Sequence, residues 1–305
     1  MQTLGIVAGL IAAAASALSY LVSRHYGGRQ PGGGRRLLVR AHVLMGLLSV
    51  PLAALLWPPT LPPTGAWLPE LVGSTACYLA GQVAVFAALQ RIDASRLAPL
   101  LGLKIAMLAA IVTGLLGHEL TGRQWLAVAA SIAAAALVQT AGRPLPRSAT
   151  VVVVAACLLF AMSDLFIVAL IDGLASAPPV ASSMVGRLET GGFAVAITYV
   201  LCGVVACGCL PWHGGHEPSD WDPAARYAVV WMAAMLALYT CFGLVGPVFG
   251  NILQSTRGTM AVGLGALLAR RGWHDLEQPV DRRTLVRRVL AALLMTAAIA
   301  AYATA

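Results

Sequence analysis

Charge is scarce in this chain: charged residues fill only 10% of its 305 positions, and acidic residues number just 12. Soluble domains carry roughly 25% charged residues, so a soluble fold of this length could not cover its surface. Alternation of apolar and polar residues over ten-residue segments is also missing, which excludes a barrel of transmembrane strands. No spaced set of cysteines forms a disulfide framework. Cys77, Cys157, Cys202, Cys207, Cys209 and Cys241 all lie in or beside apolar stretches and read as small buried hydrophobes. The chain has no His-Glu-x-x-His, no Gly-Lys-Ser/Thr phosphate loop, no Asp-rich prenyl-diphosphate motif and no Gly-x-Ser-Gly signature. It also has no soluble segment long enough to hold ATP. The sequence therefore points away from an enzyme or a primary pump, and to no cofactor.

What is abundant is apolar length. Hydrophobic residues make up 59% of the chain, and the mean hydropathy is +0.81. Uncharged runs of about 20 residues recur, each long enough to cross roughly 30 Å of hydrocarbon as a helix. The fold class is all-α: a polytopic membrane protein with ten transmembrane helices. The spans are expected near 4–22, 41–57, 70–89, 97–116, 124–141, 149–170, 187–209, 227–245, 252–269 and 287–304. The first reads as a transmembrane helix and not a signal peptide, because basic residues follow it and none precede it.

Basic residues set the orientation. Sixteen of the 20 fall between spans 1 and 2, 3 and 4, 5 and 6, 7 and 8, or 9 and 10; Lys104, Arg123, Arg187 and Arg257 are the rest. Basic loops stay in the cytoplasm, which puts both termini outside a cytoplasmic (inner) membrane. The net charge of +8 is spread over these short loop clusters, where it meets anionic lipid headgroups and not nucleic acid.

Gly142-Arg143-Pro144-Leu145-Pro146-Arg147-Ser148 divides the spans five and five. An odd number per half forces opposite orientations, so the halves are expected to be inverted repeats: residues 1–141, a cytoplasmic linker 142–148, and residues 149–305. Short echoes keep the same order in both halves. Ala17-Leu18-Ser19-Tyr20-Leu21 matches Ala161-Met162-Ser163-Asp164-Leu165, and Arg40-Ala41-His42 matches Arg187-Leu188-Glu189. Leu89-Gln90 matches Leu253-Gln254.

Span 4 is entered through Ala94-Ser95-Arg96-Leu97-Ala98-Pro99 and followed by Gly117-His118-Glu119-Leu120-Thr121. With five plus five spans, these stretches resemble the EamA-type module of the drug/metabolite transporter superfamily over residues 4 to 304. Two departures stand out: His118 separates Gly117 from Glu119, and span 9 carries Ser255-Thr256-Arg257-Gly258 in place of the proline. The resemblance implies a ten-helix fold and transport.

Ionisable residues at membrane depth mark the candidate site. Lys104 lies in span 4 and Asp164 in span 6. An unpaired charge there costs roughly 2.5–3.5 kcal/mol on insertion scales, so the two are expected to pair across the halves, facing a central cavity. That arrangement serves a substrate or a proton site; the alternative is an ion pair that only pins helices. Asp164 is the first candidate for proton coupling and Glu189 the second. Arg257, just past the Gly246-Pro247 and Gly250-Asn251 breaks, is the candidate anion ligand. Tyr20, Gln90, Gln254, Tyr239 and Asn251 offer neutral hydrogen bonds to a substrate or between helices. Cys207, Cys209, His213 and His216 hold thiols and imidazoles close together, but their spacing matches no usual zinc pattern and no metal is expected.

The function expected is a secondary transporter of a small polar or amphipathic metabolite, its two halves rocking about a central site. The partners would be that substrate and membrane lipids, with a monomer or homodimer as the assembly. The rival is a non-transporting subunit or scaffold whose charges lock helices together.

Overall fold

The structure is a computed structural model, and it describes residues 1–27, 33–89, 100–138, 147–176, 184–213, 221–260, 264 and 282–305. Among these, ten α-helices follow one another: α1 (Gln2–Gly27), α2 (Gly33–Leu55), α3 (Leu68–Leu89), α4 (Leu103–Gly114), α5 (Gly122–Val138), α6 (Arg147–Ala175), α7 (Met184–His213), α8 (Trp221–Val245), α9 (Pro247–Ser255) and α10 (Arg282–Ala303). No strand occurs among the described residues. Helices α1, α2, α3, α6, α7 and α8 are long and apolar enough to cross a membrane; α4 and the Leu290–Ala303 part of α10 are apolar but shorter.

Most helices run past the apolar spans that signal them. Helix α2 starts at Gly33, so Arg35, Arg36 and Arg40 lie on its first turns and not in a loop. Helix α10 likewise takes in Arg282, Arg283, Arg287 and Arg288. Arginine is a good helix former, and backbone hydrogen bonding does not stop where hydrocarbon ends. Arg40 is in fact 1% exposed, with its guanidinium 5.1 Å from the ring centroid of Trp221 on α8.

The fourth and ninth spans depart most from expectation. The backbone turns at 101–102 before α4 begins, which puts Lys104 on a first turn and not a third of the way along a continuous helix. Helix α9 begins at Pro247, five residues before the expected span, turns at 256, and helix resumes at 257–260. Gly246 makes the early start possible: its φ of +78° reverses the chain after α8. Pro247 then occupies the first helical turn, where its missing N–H costs nothing. The stretch from 90 to 99, which carries Gln90 and the entry to span 4, lies outside the described residues, as does most of the 142–148 linker.

The most extensive helix pairings are α1 with α8, α2 with α7, α3 with α6, and α5 with α10. Each joins a helix that ends before residue 139 to one that starts after residue 146. Glycines permit the closest approaches. A methyl group on Gly46 of α2 would sit 2.7 Å from the Cα of Gly203 on α7, and one on Gly203 would sit 2.6 Å from the Cα of Gly46. Phe166 and Phe160 of α6 cover Gly73 and Gly81 of α3. Small residues at helix crossings gain backbone packing, which is what remains to drive association where lipid is as apolar as leucine.

Candidate functional site

Lys104 is the only lysine in the chain and Asn251 the only asparagine, and both reach the same oxygen. The Lys104 ammonium lies 2.8 Å from Asp164 Oδ2, and Asn251 Nδ2 donates to that oxygen at 2.6 Å. Asn251 Nδ2 also donates to the Pro247 carbonyl at 2.8 Å, which fixes its amide. Helices α4, α6 and α9 thus meet at one carboxylate. Lys104 is 7% exposed and Asp164 4%. Burial would penalise either charge heavily if it stood alone, and the pair with its extra amide donor satisfies both.

Lys104 and Asp164 border a cavity among α3, α4 and α6 to α9. Its volume is about 50 Å³, counted as room for water centres. One buried water needs only roughly 10–15 Å³ on the same measure, so the space holds several. The ionisable groups on its wall are Lys104, Asp164, Arg257 and three tyrosines, Tyr78, Tyr199 and Tyr239. Gln254 of α9 and Thr198 of α7 add neutral polar groups. Phe160 lies on the same wall, its ring centroid 5.9 Å from Lys104 Nζ.

Beyond the tyrosines lies a polar layer that sequence reasoning missed. His42 of α2 is buried at 2% exposure. Its Nδ1 stands 2.8 Å from the Leu38 carbonyl, so that nitrogen carries the proton and donates. Nε2 therefore accepts from the Tyr78 hydroxyl, 3.1 Å away. The rings of Tyr78 and Tyr199 meet edge to face with centroids 5.7 Å apart, and Trp231 Nε1 donates to the Tyr199 hydroxyl at 2.7 Å. Nothing in a Tyr or Trp inside an apolar span separates a cavity wall from ordinary packing. His42 carried one usable signal, an imidazole within an apolar run. Tyr78→Phe is expected to lower the stability of the purified protein by about 1–2 kcal/mol in thermal melts, because it strands a buried acceptor on His42.

Of the predicted site residues, Lys104, Asp164, Asn251, Arg257, Gln254 and Tyr239 come together here. Glu189 does not: it is exposed near the start of α7, as is Arg187, whose Nη1 donates to the Gly243 carbonyl at 3.2 Å. The side chain of Tyr20 and the whole of Gln90 lie outside the described residues. So do His216 and the His213 side chain; Cys207 is exposed and Cys209 partly buried on α7. Among the described residues no group of three His, Cys, Asp or Glu side chains is placed to hold a metal.

Residues 3–140 match the EamA-like transporter family. The match ends at the close of the first half of the chain. The matched stretch spans α1 to α5, and the family is one of the drug/metabolite transporter superfamily. No curated protein matches the sequence. A protein of known crystal structure is similar over 97% of this chain and 97% of its own, with a TM-score of 0.66 at 14% identity. At that identity the likeness is one of fold alone, and it extends past the EamA-like half to the whole chain.

Proposed function

We propose that this chain is a secondary transporter that moves a small polar or amphipathic metabolite across the cytoplasmic membrane by alternating access. The observation that carries this reading is the cavity itself. A lone lysine from α4 and an aspartate from α6 meet there, one from each half of the chain, beside uncharged hydrogen-bonding groups and aromatic rings. An ion pair needed only to pin helices gains nothing from bordering a water-sized space.

In this reading the chain is two inverted repeats, 1–141 and 149–305, joined by the 142–148 linker, with both termini outside. The helix pairings support it. Exchanging each helix for the one five places along turns α1 with α8 into α6 with α3, and returns α2 with α7 and α5 with α10 to themselves. The bodies that rock are then bundles drawn from both repeats, because the strongest contacts cross between the halves. Asp164 takes the coupling proton. Protonation would remove the counter-charge of Lys104 and release the bond between α4 and α6. Glu189, exposed on α7, is left with an anchoring role at the membrane boundary.

Site-directed labelling tests this without knowledge of the substrate. Thr198→Cys, in a background lacking the six native cysteines, puts a thiol on the cavity wall. Alternating access is expected to let a membrane-impermeant maleimide modify it from either side of a sealed vesicle. Labelling from neither side would return the scaffold reading.

A further inference from the structure

We infer that the exposed arc at the start of α10 binds one anionic phospholipid, its phosphate bridging Arg283 and Arg287 and its acyl chains lying along Val286, Leu290 and Leu293. This is independent of the transporter reading and needs only that α10 enter the membrane. The first ground is geometry. On a helix of 3.6 residues per turn these five positions fall within an arc of about 120°. Arg283, Val286, Leu290 and Leu293 are exposed, and Arg287 is half-buried. The arginines stand about one turn apart at the mouth of that arc, and the apolar side chains follow below them. Exposed Ala297 continues the arc. From Arg287 to Ala297 the helix rises about 15 Å, the depth of one leaflet in a hydrocarbon layer roughly 30 Å thick. A cationic head above an apolar stripe has the outline of a phospholipid.

The second ground is charge. Like charges four residues apart repel on a helix surface, and an anion between them removes the repulsion. Other arginines are answered within the chain: Arg226 meets Asp222 at 2.9 Å, and Arg40 lies over the Trp221 ring. Arg283 and Arg287 take part in no ion pair among the described residues. Their planar guanidinium forks match the oxygens of a phosphate. A second copy of the chain is the poorer occupant. Packed α10 against α10 in the same membrane orientation, it would bring these arginines onto their own counterparts. The third ground is what the other face of α10 holds. Met295 is buried there and accepts from Ser255 Oγ at 2.9 Å, and the Tyr302 ring stacks on Phe249 with centroids 5.0 Å apart. Ser255 and Phe249 belong to α9, which carries Asn251 to Asp164. A lipid holding α10 from outside therefore braces α9 and the central site from behind.

The test is melting of the full-length protein, purified in a neutral detergent, with dioleoyl phosphatidylglycerol, dioleoyl phosphatidylcholine or glycerol 3-phosphate added. The expected result is a rise in melting temperature of about 3 °C or more with phosphatidylglycerol and little change with the other two. Arg283→Gln and Arg287→Gln should each remove most of that rise. Arg147→Gln, at an exposed position on the first turn of α6, should keep it. No rise with phosphatidylglycerol, or a rise that both α10 variants keep, would overturn the site. So would an equal loss in Arg147→Gln, which would reduce the effect to net charge. An equal rise with phosphatidylcholine would overturn the anion, and an equal rise with glycerol 3-phosphate would overturn the lipid in favour of free phosphate. If neither α10 variant folds, native mass spectrometry of the wild type decides. One retained phosphatidylglycerol per chain, with no phosphatidylcholine, supports the site, and none overturns it.

Discussion

Asp164→Ala is expected to destabilise the purified protein by about 3–5 kcal/mol, because it leaves a buried ammonium with no counter-charge. Lys104 lies 2.8 Å from the carboxylate that would be lost and is itself buried. The Phe160 ring offers it a quadrupole at 5.9 Å, worth far less than a carboxylate at contact. Removing both charges should behave differently. Lys104→Met combined with Asp164→Leu replaces the pair by apolar groups of similar size, a change that is often neutral or stabilising in other proteins. The double variant should therefore melt within a few degrees of the wild type, while losing any stabilisation by ligand. Melting curves of the two variants side by side separate a pair kept for structure from a pair kept for its chemistry. A double variant as unstable as Asp164→Ala would show that the charges hold the bundle together.

Gly46→Leu is expected to cost about 3 kcal/mol or more, read as a lowered melting temperature and a loss of monodisperse protein on gel filtration. The new Cβ would meet the Cα of Gly203 at 2.7 Å and the Tyr199 carbonyl at 3.3 Å. Both are backbone atoms of α7, so no side-chain rotation can relieve the clash, and α2 must move away from α7. That movement also disturbs the site, since His42 and Tyr199 flank the same crossing. Gly208→Ala is the matched control. It lies on α7 as well, but a methyl group there meets nothing within 4 Å, and its effect should be small.

The helices and the central pair were legible in the sequence for one reason: hydrocarbon tolerates few exceptions. A run of about 20 apolar residues has little choice but to span, and Lys104 and Asp164 could not both be left alone in such runs. The helix ends were less legible. Arg35, Arg36 and Arg40 read as a loop because charge ends the apolar run, whereas the helix starts at Gly33 and takes in all three. The breaks at 101–102 and 256 leave no mark in hydropathy, so the sequence puts Lys104 mid-helix, whereas it stands on a first turn. Asn251 was recognised as a hydrogen-bonding residue, but its bond to Asp164 depends on how α9 lies against α6, which no local pattern encodes. The aromatic wall was hidden for the same reason. Tyr78, Phe160 and Trp231 come from three different helices, and a ring looks alike in sequence whether it faces lipid, core or cavity.

The pairing of helices across the halves also sets an order of events during synthesis. Lys104 leaves the ribosome 60 residues ahead of Asp164, an interval of roughly 3–12 s at about 5–20 residues per second. Helix α1 waits longer for α8, and α2 for α7. Throughout that time the first five helices have only their lesser pairings, such as α1 with α2 and α4 with α5, to fold against. The nascent half must stay loosely assembled, with its ammonium held in the water of the insertion machinery or at the headgroups, until α6 arrives with the carboxylate. Residues before 139 are thus not a folding unit of their own: the bundle closes only when translation of the second half is nearly complete.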